Sequence, residues 1–247
     1  MSDRAIILLG HGTTHPEGLE DYHHLAKSLK AKSSHDIREA FLQYADPFLV
    51  SAIDSCVNSG YSAIQIIPLF LSSASHVQRD LPRLLTEAES LYPDRQISVT
   101  QYLGASPLLA GLIHEEISRL SEELDIPKRA LLFISRGSPY IDSQNDVQNV
   151  FNSLSIKDSF IDSRLACYSG AKPSVTDAYQ ELISQNPDGI LIIPYLLFRG
   201  KIHTKIQQSI QSLSLSHPSV THHFMDVLSH NPSLTDIILH LSQRSGD

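Results

Sequence analysis

The chain has 247 residues, 41% of them hydrophobic and 19% charged, which suffices for one large or two small α/β domains with cores of their own. Its formal net charge of -8 weighs against nucleic acid, whose phosphate backbone is bound mainly through Lys and Arg, and no run approaches the roughly 18 apolar residues of a membrane span. Cys56 and Cys167 lie in different halves without a CxxC pair, so neither a disulfide framework nor a thiolate metal site is indicated.

The opening segment, MSDRAIILLGHG, runs from a short apolar stretch into a glycine loop rather than a signal-peptide cleavage site, and a cytoplasmic location is expected. From there apolar strand-length runs alternate with amphipathic helix-length segments, the pattern of a parallel sheet covered by helices. Strands are expected near residues 5 to 9, 37 to 42, 63 to 68 and 97 to 102, then near 130 to 134, 163 to 168, 189 to 194 and 219 to 224.

The second set repeats the first. AIILLGHGT from Ala5 aligns with ALLFISRGS from Ala130 at an offset of 125, and Pro47 pairs with Pro173 and Ala52 with Ala178 at 126. AIQIIPLFL from Ala63 matches GILIIPYLL from Gly189 at 126, and Pro107 and Leu109 match Pro232 and Leu234 at 125. An offset this constant marks a tandem duplication. The expected fold is α/β, with two similar lobes, each a parallel four-stranded sheet flanked by helices; the lobes span residues 1–125 and 126–247, joined around EELDIPKRA.

Open parallel sheets bind ligands beyond the carboxyl ends of their strands, which reduces thirteen histidines to a few candidates. The first lobe places His11 after its first strand, Gln43 after its second and His76 after its third. In the second lobe Arg136 stands opposite His11 and Ile202 opposite His76, with His203 one residue displaced, while Lys172, Arg199 and Lys201 follow the second and third strands. One rim carries imidazoles, which ligate metals and move protons near neutral pH; the other carries cations suited to carboxylates. A cleft between the lobes would house both. Asp80 is placed to cap the helix after His76, with Pro82 in its first turn. GHGTTHPEG lacks the spacing of a dinucleotide or P-loop site, and a histidine-phosphatase reading would want an arginine where Gly10 stands. His15, His23 and His24 near the first helix, and His217, His222, His223 and His230 near the last strand, do not form an evident reservoir, since neighbours such as His222 and His223 point to opposite strand faces.

GHGT, PLFLSSASHVQRDLP, ISRGS and IPYLLFRG resemble the sirohydrochlorin chelatases of the class II group, most of all the long, duplicated CbiX/SirB type, over nearly the whole chain. The resemblance implies insertion of Co²⁺ or Fe²⁺ into sirohydrochlorin for cobalamin or sirohaem synthesis. It implies His11 and His76 as catalytic and metal-handling residues, and places Arg136 at the arginine of the second-half motif. Gln43, Arg136, Lys172, Arg199 and Lys201 are the expected substrate-binding set. Gln43 departs from relatives with an acidic residue there, since an amide is neither a base nor a strong ligand. The divalent metal is expected as substrate, with no tightly bound cofactor; no iron-sulfur cluster is expected, because the chain closes on HLSQRSGD without a cysteine motif. A monomer or homodimer is expected, without nucleic-acid or membrane partners. The competing reading is a non-catalytic tetrapyrrole or metal carrier on the same fold.

Overall fold

A computed structural model describes residues 3–73, 76–154 and 159–243, with His76 described by its backbone alone. The first repeat runs β1 (Arg4–Gly10), α1 (Pro16–Lys32), β2 (Asp36–Phe41), α2 (Leu49–Asn58), β3 (Ala63–Pro68), α3 (Leu81–Leu91), β4 (Gln96–Val99) and α4 (Pro107–Leu124). The second runs β5 (Arg129–Ser135), α5 (Ile141–Ser153), β6 (Asp162–Cys167), α6 (Val175–Ile183), β7 (Gly189–Tyr195), α7 (Lys201–Ser214), β8 (Thr221–Phe224) and α8 (Leu234–Gln243). The strands form two four-stranded sheets, ordered β2-β1-β3-β4 and β6-β5-β7-β8, and every pairing is parallel. The expected fold class is the one observed.

β1 and β5 lie inside their sheets with helices on both faces, and Ala5 to Leu9 and Ala130 to Ile134 are all buried; hence their unbroken apolar sequence in place of alternation. Each sheet has its own core. Ile7, Leu9, Ile53, Ile64 and Ile66 belong to the first, and Leu132, Ile134, Tyr179, Leu182, Ile190 and Ile192 to the second.

The last strand of each sheet, β4 and β8, is shorter than expected. β4 ends at Val99 because the chain turns into a 3-10 turn, Leu103–Ala105, whose Gly104 lies so close to Leu71 that a Cβ would sit 2.2 Å from its carbonyl oxygen. β8 begins only at Thr221 because the preceding turn is closed by Val220 N–H donating to the His217 carbonyl at 3.1 Å.

The chain divides into two compact units, residues 1–106 with 231–247, and residues 107–230. These units are not the sequence repeats: α4, the last helix of the first repeat, belongs to the second unit, and α8 belongs to the first. Within the first unit α8 packs on α1 and β3, burying Leu234, Ile237, Ile238 and Leu241. Lys32 at the end of α1 donates to Thr235 and Asp236, both at 2.8 Å. No helix among the described residues is long and apolar enough to cross a membrane.

Candidate functional site

The carboxyl end of β1 is braced from below. The Tyr22 hydroxyl, buried under the sheet, donates to the Leu8 carbonyl at 2.6 Å, and burial pushes this phenol far above its usual pKa. The Tyr22 ring also closes the space at Gly10, where a Cβ would lie 2.8 Å from Cε2. No arginine fits before His11, which removes the phosphatase-like arrangement on steric grounds.

Beyond Gly10 the chain turns against the loop after β2. Leu42 N–H donates to the Gly10 carbonyl and Gln43 N–H to the His11 carbonyl, both at 3.0 Å. Gly12 has φ 90, and a Cβ there would lie 1.7 Å from the Gln43 carbonyl oxygen, so this position needs glycine for its backbone angle and for the closeness of approach. The His11 ring Nδ1 lies 3.2 Å from the Gly12 carbonyl. A carbonyl only accepts, so a hydrogen bond here has Nδ1–H as donor, and in the neutral ring Nε2 is then the nitrogen whose lone pair binds metals or takes a proton. The imidazole also stacks on Tyr44, with centroids 5.7 Å apart and planes at 27°.

The second unit repeats this backbone with other side chains. Tyr168 N–H donates to the Ser135 carbonyl at 2.9 Å and Ser169 N–H to the Arg136 carbonyl at 3.1 Å. Gly137, at φ 79, approaches Ser169 so closely that a Cβ would lie 1.8 Å from its carbonyl oxygen. His11 and Arg136 are therefore structural equivalents, as are Gln43 and Ser169, Tyr44 and Gly170, and Asp46 and Lys172. Each of the last two residues precedes a cis proline, Pro47 or Pro173. On one loop scaffold the first unit carries imidazole, amide, phenol and carboxylate, and the second carries guanidinium, hydroxyl, no side chain and ammonium.

Replacing Gly12 with alanine is expected to cost about 3 kcal/mol, combining an unfavourable backbone angle with a forced shift of the loop after β2. That corresponds to a melting temperature lower by about 6–12 °C. Gly137→Ala should cost a similar amount, and calorimetry on both variants checks the equivalence. Two melting temperatures within about 2 °C of the parent's would show that the loops relax around the added methyl.

The candidate cations follow three neighbouring strands: Arg136 after β5, Lys172 after β6, and after β7 Arg199 in the loop and Lys201 as the first residue of α7. Arg136 and Lys201 are exposed and Arg199 is half-buried. Lys172 donates to Asp177 at 3.0 Å with 80% of its side chain exposed. Asp177 completes a capping box with Ser174 at the start of α6, and the hydrogen bonds from Ser174 and Lys172 hold its carboxyl below the usual carboxylate range.

His76 opens a π-helical turn, His76–Asp80, that runs into α3; its side chain lies outside the described residues. Asp80 is not the expected cap. It has helical backbone angles and makes no capping hydrogen bond, because the turn before it is already wound. The widened turn falls where Pro82 has no N–H for the Gln78 carbonyl and its ring would crowd that oxygen. In the second unit the corresponding stretch is ordinary helix, since α7 starts at Lys201.

Three of the other histidines, His23, His222 and His230, have local partners. His23 pairs with Glu39, which also accepts from Lys30 at 2.7 Å. His222 lies 3.0 Å from the Tyr179 hydroxyl, its pKa lowered by burial, and His230 Nδ1 lies 2.8 Å from Asp226. Among the described residues no three His, Cys, Asp or Glu side chains gather into a closed metal site. Tyr44 was missed in the sequence, although the repeat alignment sets this tyrosine against Gly170.

The CbiX family model matches residues 5–120 and again residues 130–245. The chain is 26% identical over 226 residues to the sirohydrochlorin ferrochelatase of Bacillus subtilis, covering 88% of this chain and 83% of that protein. It is 20% identical over 243 residues to the sirohydrochlorin cobaltochelatase of Priestia megaterium, covering 95% and 78%. Among solved structures, SirB from Bacillus subtilis with Fe3+ shares the fold with a TM-score of 0.81 at 23% identity, covering 97% of this chain and 94% of that one.

Proposed function

From the premise that the chain belongs to the CbiX family, whose model spans both of its repeats, we propose that it is a sirohydrochlorin chelatase, an enzyme that inserts Co²⁺ or Fe²⁺ into the tetrapyrrole. The observation that carries the proposal is the change of chemistry on a repeated scaffold: His11 in the first unit occupies the position that Arg136 fills in the second.

Metallation exchanges two inner N–H protons of the macrocycle for one divalent ion, so it needs a transient ligand and a proton acceptor. Neutral imidazole serves as both. With Nδ1–H turned to the Gly12 carbonyl, His11 offers Nε2 first to the ion and then to a departing proton. We assign His76, after β3 of the same unit, as its partner in these steps. Two imidazoles leave most of the coordination sphere open, which suits an ion that must be passed on. Asp46, in the loop after β2, adds negative charge on the side that receives the cation. Gln43 contributes polarity without basicity.

The substrate is a polycarboxylate, and Arg136, Lys172, Arg199 and Lys201 are the groups assigned to it. The Lys172–Asp177 pair is solvent-exposed and weakly held, so the ammonium exchanges partners readily. The metal ion is substrate, and sirohydrochlorin and the ion are the partners this reaction requires.

The test is anaerobic absorbance spectroscopy of the protein with sirohydrochlorin and Co²⁺ or Fe²⁺, measured against the uncatalysed rate. Acceleration by the protein is the expected result, and the faster metal indicates the pathway served. Binding of the tetrapyrrole without acceleration would replace the enzyme with a carrier.

A further inference from the structure

The loops after β2 and β6 follow the same backbone course, and one of the positions at which their residues differ takes a left-handed backbone in both. In the second unit Gly170 takes the left-handed conformation, at φ 73. In the first unit Tyr44 takes it, at φ 64, although a residue with a Cβ is disfavoured there and a bulky one is an outlier. Burial does not account for the tyrosine, because 64% of its surface is exposed. What its ring touches is the His11 imidazole, in the offset stack that aromatic pairs favour.

We infer that Tyr44 is a positioning residue, retained against its backbone preference to hold the plane of the His11 ring. The Gly12 carbonyl holds one edge of the imidazole and the Tyr44 ring holds one face, and both constrain the direction in which Nε2 points. A ligand that receives and releases an ion without a closed shell depends on that direction, because few other bonds orient the metal. The chemistry of the inference rests on the chelatase reading; the geometry does not. Strain at a single residue coupled to one functional contact is the usual form in which a fold trades stability for site geometry.

Tyr44→Gly removes both the strain and the ring, and Tyr44→Phe keeps both. Three measurements separate the roles: melting temperature, anaerobic metallation kinetics, and equilibrium titration with Co²⁺ alone. Tyr44→Gly is expected to melt about 2–4 °C higher than the parent. Its kcat should fall about five- to tenfold, the loss of one stacked contact, with KM for the tetrapyrrole unchanged and Co²⁺ affinity reduced by a similar factor. Tyr44→Phe should restore both quantities. The inference is overturned if Tyr44→Gly keeps its kcat and Co²⁺ affinity, or if KM rises while kcat holds, which would make the ring a surface for substrate. It is also overturned if Tyr44→Phe loses as much as Tyr44→Gly, which would assign the effect to the hydroxyl. Should the parent protein fail to accelerate metallation, the chelatase reading falls first. The Co²⁺ titration then decides alone: weaker binding by Tyr44→Gly and not by Tyr44→Phe supports the positioning role, and equal binding refutes it.

Discussion

His11→Ala is expected to slow cobalt or iron insertion about 100-fold or more, with a melting temperature within about 2 °C of the parent protein. The rate loss follows from removing, in one residue, a transient ligand and a proton acceptor, a role that contributes on the order of 10²–10⁴ to rate. The small stability change follows from how the loop is held. Its brace is backbone to backbone, from Gln43 N–H to the His11 carbonyl and from Leu42 N–H to the Gly10 carbonyl, and alanine keeps every one of those groups. The losses fall on the side chain, a half-buried ring whose contacts include the Gly12 carbonyl and the stack on Tyr44. Anaerobic stopped-flow absorbance with each metal, beside calorimetry, measures both quantities. A variant that metallates at the parental rate would place the metal-handling step elsewhere in the chain.

Removing residues 231–247 should abolish the first unit while sparing the second. α8 contributes Leu234, Ile237, Ile238 and Leu241 to the first unit's interior, and burial of side chains of this kind stabilises by about 1.5–3 kcal/mol each. Together they supply about 6–12 kcal/mol, which is the size of a whole domain's stability, about 5–15 kcal/mol. The bonds from Lys32 to Thr235 and Asp236 go with them. The second unit keeps every strand and helix it is built from, because residues 107–230 form one continuous stretch with their own four-stranded sheet. A fragment of residues 1–230 should therefore show dispersed amide resonances for 107–230 and collapsed ones for 1–106, and limited proteolysis should cut the first region at once. Protection of residues 1–106 in that fragment would show that α8 only covers the unit.

Much of the fold was legible because its signals are local. The central strands β1, β3, β5 and β7 are buried on both faces, so each reads as an apolar run, interrupted in β3 only by the buried Gln65, and a repeat offset that stays within one residue exposed the duplication. The exchange of α4 and α8 was not legible, because an amphipathic helix announces that it has an apolar face and says nothing of which sheet receives it. Asp80 misled for a related reason. Its residue type suits a cap, but Pro82 two residues on opens a π turn, and helical backbone already runs through it. β4 and β8 were overextended because close packing at Gly104 and a turn at Val220 bound them, and neither contact has a periodic signature. At the site, position after a strand was enough to single out His11 and Arg136. The left-handed conformation of Tyr44 was invisible until the twin loop supplied a glycine for comparison.

The exchange of terminal helices also sets an order of assembly during synthesis. A ribosome delivers the chain from its amino end, so residues 107–230 emerge as a complete unit and can close while the last segment is still being made. Residues 1–106 emerge earlier yet must wait for α8, which follows the whole of the second unit, before their core is covered. The part of the protein that bears His11 is thus begun before the second unit and finished after it, and a nascent chain stalled short of α8 presents a closed second unit with an unfinished first one, a species that chaperones would recognise by its exposed apolar sheet.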